Sequence, residues 1–164
     1  MVRPRPSCRL GQGPRAGRPL GGCDNGEVSQ LPDDDQSPST SRYDAMGGHA
    51  FFTRLVHNFY LGVAADPALR AIYPEDDLAP AEQRFRMFLE QYWGGPTTYS
   101  ERRGHPRLRM RHAPFKVTPA AKDSWLRAMR AALDQESLAP DLEQQLWDYF
   151  EHAAQFMVNT FEEV

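Results

Sequence analysis

Apolar side chains recur at three- and four-residue steps through four stretches of this chain, and strand-like alternation stands out nowhere after residue 42. Following Gly47-Gly48, the run Phe52, Leu55, Val56, Phe59, Tyr60 and Val63 predicts an amphipathic helix that Asp66-Pro67 closes. A second helix opens near Pro80, carries Ala81, Phe85, Phe88, Leu89 and Tyr92 on one side, and stops at Gly94-Gly95-Pro96. Thr118-Pro119, a cap followed by a first-turn proline, begins a third with Trp125, Met129, Ala132 and Leu133. The fourth follows Pro140-Asp141 and presents Leu142, Leu146, Tyr149, Phe150, Ala153 and Met157. The fold class is all-α. Between the second and third helices, the polar stretch 94–117 offers one short helical piece, from Pro106 to about His112. Four such helices form either a simple bundle or two crossed pairs clasping something flat.

Composition restricts this pattern to part of the chain. Before Tyr43 there is no Phe, Tyr or Trp, yet six of the 14 prolines and six of the 12 glycines fall there. Without aromatics, a segment buries too little apolar surface to offset its ordering entropy. Residues 1–42 are therefore expected to be a disordered Arg-, Pro- and Gly-rich extension, and 43–164 a single helical domain. The net charge of -3 is too small to suggest nucleic acid as a partner. No apolar run is long enough for an integral membrane segment or a signal-peptide core. Cys8 and Cys23 both lie in the extension, so the domain needs no disulfide, and a cytoplasmic location is expected.

Candidate chemistry concentrates in GHPRLRMRHAPF, residues 104–115. On a helix starting at Pro106, Leu108 shares a face with His112, and Arg107, Arg109 and Arg111 fan out around the rim. Pro114 prevents continuation, so His112 is held near a terminus with few neighbours to block a ligand. An imidazole there, with Leu108 and Phe115 beside it and cations nearby, suits a planar, dianionic iron porphyrin. A solvated histidine in a basic turn satisfies the same spacing, and the spacing leaves both readings open. Zinc hydrolysis finds no HExxH here, and His49, His57, His105 and His152 are dispersed. Neither a nucleophile elbow nor a phosphate loop is present.

Longer motifs narrow the choice. YPEDDLAPAEQRFRMFLEQYWGGP (73–96), then GHPRLRMRHAPF, then DSWLRAM (123–129) closely resemble the group II truncated haemoglobins. These are small bacterial and plant globins whose helices form a two-over-two sandwich around haem. The similarity runs from about Tyr43 to Val158 and leaves the extension outside. It implies that His112 is the proximal iron ligand, and that the first two helices form one crossed pair and the last two the other. The pairs Gly47-Gly48 and Gly94-Gly95 match the family's glycine motifs. By the same match, Tyr60, Tyr73 and Trp125 line the distal side, where a phenol O–H or indole N–H would stabilise a diatomic ligand carrying partial negative charge. Ala81 stands where many globins place a distal histidine, and Phe85, Phe88 and Leu89 would wall the haem. Arg84 and Arg111 are the candidates for propionate contact.

The resemblance implies a haem protein with high affinity for oxygen and other diatomic ligands, nitric oxide and carbon monoxide among them. A pocket rich in donors retains oxygen and opposes its release, which fits oxygen transport poorly. Conversion of nitric oxide to nitrate, peroxide turnover and ligand sensing suit it better, and redox work would need an external reductase. The chain leaves association into a homo-oligomer open. The alternative is a haem-free helical interaction protein with a globin-like shape, in which His112 is solvated and the purified protein is colourless.

Overall fold

A computed structural model describes residues 40–161, all helices and connections within that range. The extension expected over 1–42 lies outside the described residues, except for its last three. Eight helices follow one another among the described residues: α1 (Arg42–Ala45), α2 (Gly48–Ala65), α3 (Pro67–Arg70), α4 (Ala79–Tyr92), α5 (Thr98–Arg103), α6 (Leu108–His112), α7 (Pro119–Leu133) and α8 (Pro140–Met157).

The four long ones are those the apolar periodicity predicts, and their ends have local causes. Thr118 caps α7 by accepting from the Ala121 amide at 3.1 Å, and Pro119 supplies the first turn. Asp66-Pro67 ends α2 as expected and also starts a helix. The Asp66 carboxylate accepts from the amides of Ala68 and Leu69 at 2.9 and 3.1 Å, which opens α3. The stretch read as nearly free of helix, 94–117, holds two short ones. Of these, α5 was not foreseen, and α6 begins at Leu108, after a left-handed Arg107 (φ 42°), instead of at Pro106.

The core lies where α2 crosses α7 and α4. Phe52, Leu55, Val56, Phe59 and Val63 of α2 are wholly buried, with Met129 of α7 and Leu89 of α4. Each such side chain contributes roughly 1.5–3 kcal/mol over its exposed state. Gly62 permits the α2–α7 crossing to be close, since a Cβ there would lie 3.2 Å from the Ala128 Cβ. α2 packs on α4, and α8 packs on α7, giving the two crossed pairs. The choice left open by spacing falls to the clasp. Gly95 lets α1 close against the end of α4: a Cβ at this position would stand 2.7 Å from the Tyr43 ring. The Tyr43 amide also donates to the Trp93 carbonyl at 2.9 Å. By contrast, α6 has no buried residue, and only its half-buried Leu108 packs against the core.

Candidate functional site

Between the two helix pairs lies a cavity of about 300 Å³, lined mainly by apolar side chains. His112 stands on its wall at the last turn of α6, with Leu108 and Phe115 alongside. The His112 Nδ1 is 2.8 Å from the Leu108 carbonyl oxygen. A carbonyl only accepts, so Nδ1 carries the proton, and in the neutral ring Nε2 keeps its lone pair. A backbone carbonyl that fixes the tautomer in this way is how proteins present imidazole to a metal. The supporting loop is fixed as well. Asn159 donates to the carbonyls of His112 and Phe115 at 3.2 and 3.0 Å, and its Oδ1 accepts from the Val117 amide at 3.0 Å.

Tyr60 of α2, Tyr73 of the loop after α3, and Trp125 of α7 also line the cavity. The Tyr60 and Tyr73 rings meet edge to face at 5.8 Å, and Trp125 packs on Phe59 and Phe85 at 5.0 and 6.0 Å. Burial pushes the Tyr73 phenol up to about 12, against the opposing pull of hydrogen bonding from the Trp125 indole and the Tyr60 hydroxyl. Burial raises Tyr60 as well, with the neighbouring Tyr73 adding to the effect. Both hydroxyls therefore stay protonated near neutrality and remain donors. Arg70 clamps the loop that carries Tyr73, donating to the carbonyls of Tyr73, Glu75 and Asp76 at 2.9, 2.6 and 3.0 Å.

Ala81, Phe85 and Phe88 of α4 face the cavity, as the spacing requires. Leu89 does not line it. One residue past Phe88, it is turned by about 100° and is wholly buried in the helical core. Both propionate candidates reach the rim, but other partners hold them. Arg84 is paired with Glu75 at 2.6 Å. Arg111 donates to the backbone carbonyls of Pro106 and Arg103, each at 2.8 Å, bracing the turn before α6.

Sequence reasoning missed Tyr99 and Arg103, which lie on the unforeseen α5, and Lys122 on the first turn of α7. It also assigned no cavity residue to α8, whereas Tyr149, Ala153 and Met157 line the cavity. A spacing of 149, 153 and 157 does mark one helix face, but spacing cannot say whether a face meets a core or a ligand. No three His, Cys, Asp or Glu side chains gather to hold a metal ion among the described residues. None of the described helices is long and apolar enough to cross a membrane.

One imidazole with a fixed tautomer, apolar walls, donors across the space and cations at the rim define a helical clasp for a flat, anionic, iron-bearing ligand. That donor set fits haem. The description "bacterial-like globin" matches residues 41–159, and the chain belongs to the globins, in the truncated two-over-two group. It is 40% identical over 120 residues to the group 2 truncated haemoglobin YjbI of Bacillus subtilis, covering 73% of this chain and 89% of that one. Among solved structures, a thermostable haemoglobin from the actinobacterium Thermobifida fusca is 61% identical, with a TM-score of 0.72 over 73% of this chain and 98% of that one. A truncated oxygen-avid haemoglobin from Bacillus subtilis is 39% identical, with a TM-score of 0.69 over 73% of this chain and 99% of that one. Haem is the cofactor of this family, and haem-based oxygen binding is its shared activity.

Proposed function

We propose that this chain holds haem through the His112 Nε2 and retains oxygen and other diatomic ligands by donation from Tyr73, Trp125 and Tyr60. The observation that carries the reading is the His112–Leu108 contact at 2.8 Å, on a cavity that also presents two phenols and an indole. Bound haem supplies iron as the site at which a diatomic ligand coordinates. The protein's own residues do the rest. Leu108, Phe85, Phe88 and Phe115 would exclude water and position the ring, and Tyr73 and Trp125 would donate to a diatomic ligand that carries negative charge. Arg103, Arg111 and Lys122 would supply positive charge to the propionate edge, whereas the charge of Arg84 is met by Glu75.

A hydrogen bond to a charged acceptor contributes roughly 1.5–3 kcal/mol, so two donors would slow ligand loss by roughly 10² to 10⁴. Retention on that scale serves chemistry better than delivery. Conversion of nitric oxide to nitrate and peroxide reduction are the fitting tasks, in the cytoplasm and with an external reductase returning the iron to its ferrous state. The relative described as oxygen-avid accords with this. Trp125→Phe removes the indole donor and keeps an apolar ring. Stopped-flow displacement of oxygen should show release faster by roughly five- to a hundredfold. Release at the wild-type rate would remove Trp125 from the ligand-binding set.

A further inference from the structure

Charge is distributed unevenly along the helical domain. Residues 98–122, from α5 to the first turn of α7, hold seven Arg and Lys against one acid, Glu101. The rest of 43–164 holds six against sixteen. The two groups also differ in how their charges are met. Outside the segment, Arg54 is ion-paired with Glu136, Arg84 with Glu75, and Arg130 with both Asp134 and Glu143. Within it, only Lys122 has a carboxylate partner among the described residues, Asp123 at 3.3 Å. Arg111 is bonded to neutral carbonyls, which leave its charge in place. Arg102, Arg103, Arg107, Arg109 and Lys116 are all exposed.

Local geometry gathers these cations around α6. Arg111 ties α6 to the end of α5 through the Arg103 and Pro106 carbonyls, each 2.8 Å away. Asn159 ties Phe115, the residue before Lys116, to His112. Two exposed apolar side chains stand among them, Met110 at 66% and Phe156 at 55%. The Arg109 guanidinium lies 5.2 Å from the Phe156 ring centroid. Crowding like charges in this way costs stability, and a bound dianion would offset only two of them. Arg103, Arg111 and Lys122 line the cavity and suffice for that. Arg102, Arg107, Arg109 and Lys116 do not line it, so their charge is left over.

We propose that the face formed by Arg102, Arg107, Arg109 and Lys116 around Met110 and Phe156 docks a compact, acidic electron-carrier protein that delivers single electrons beside His112. The inference rests on the haem reading above and specifies the partner that its reductant requires. An apolar centre inside a charged rim is the composition of a protein interface. Opposite charge across it steers the encounter and fixes the orientation. An extended polyanion fits this face less well. A nucleic acid or an anionic bilayer running past it meets a domain whose other residues carry sixteen acids to six cations, whereas a compact acidic protein covers the basic face alone. His112 sits on the same short helix as Arg109 and Met110, so a carrier seated there stands next to the imidazole. Each encounter oxidises the carrier by one electron and reduces the haem iron by one, with no bond made or broken.

The test uses the full chain loaded with hemin, its Soret band recorded first, mixed without oxygen under carbon monoxide with a reduced plant-type ferredoxin, an acidic iron–sulfur protein. The second-order rate of haem reduction should fall roughly tenfold between about 20 and about 300 mM salt. Arg102→Glu and Lys116→Glu should each lower the low-salt rate severalfold, while photoreduced lumiflavin, which is uncharged, reduces both at the wild-type rate. Arg127→Glu, the same reversal on α7 outside the segment, should slow ferredoxin less than twofold. A rate indifferent to salt, or slowed equally by Arg127→Glu, would overturn the docking face. So would tighter binding of the chain to duplex DNA or to phosphatidylglycerol vesicles than to ferredoxin at about 150 mM salt. Should one reversal lose haem, the other and the salt series decide. A missing Soret band at the outset would instead overturn the haem reading, and the electron route with it.

Discussion

His112 takes its orientation from two neighbours that never touch a ligand: the Leu108 carbonyl on its own helix, and Asn159 beyond the end of α8. Asn159 has an exposed side chain, yet it ties together the backbone at His112, Phe115 and Val117. Nothing in its sequence position advertises this, because the partners lie more than forty residues away. Asn159→Ala removes three hydrogen bonds worth about 1 kcal/mol each at most, and the carbonyls it frees can turn to water. The Soret position should stay unchanged while haem passes to excess apomyoglobin severalfold faster. Transfer at the wild-type rate would mean that the loop holds itself. The cavity residues were legible to unequal degrees. Tyr60 and Trp125 sit on apolar helix faces and look like core until the longer motif assigns them. Leu89 looked like cavity wall and is core, because one residue on a helix changes the face. Arg84 and Arg111, the candidates for propionate contact, both line the cavity, but sequence spacing could not reveal Glu75 or the loop carbonyls that occupy their guanidinium groups.

The four long helices were legible because each offers three or more turns over which an apolar face can repeat. The short elements were not. A four- to six-residue helix contains barely one turn, so α1, α3 and α5 leave no periodic trace. Asp66-Pro67 shows the ambiguity well, since one dipeptide both stops α2 and caps α3. The consequence reaches the site, because α3 places Arg70 and the loop with Tyr73. Arg70→Met keeps the apolar stem and removes the donors to the carbonyls of Tyr73, Glu75 and Asp76. Helix content should be retained while oxygen release accelerates by roughly two- to tenfold, as Tyr73 loses its fixed position. An unaltered release rate would show that Tyr73 is held by its ring contact with Tyr60 alone.

At the scale of the molecule, burying phenols between two helix pairs couples the fold to alkaline pH. In the unfolded chain a tyrosine ionises near 10.0, whereas folded Tyr73 holds its proton to about 12. Between these values the native state binds more protons, so raising the pH favours unfolding. The contribution is fully present below pH 10 and is lost as the pH climbs towards 12, at about 1.4 kcal/mol per unit. Tyr60 and Tyr149, raised by burial too, act in the same direction. Urea midpoints followed by circular dichroism should be level from pH 8 to 10 and then fall, with a shallower fall in Tyr73→Phe. Equal slopes in both proteins would contradict a buried, protonated Tyr73.

The proposed function places haem in the cavity between the two helix pairs, held by the one imidazole of His112. The absorption spectrum of the purified, hemin-supplied chain, oxidised and then reduced under carbon monoxide, tests this most directly. A strong Soret band that shifts and sharpens under carbon monoxide, and is lost or displaced in His112→Ala, is the expected result. A normally folded chain with no such band, or a band indifferent to His112→Ala, would contradict the account.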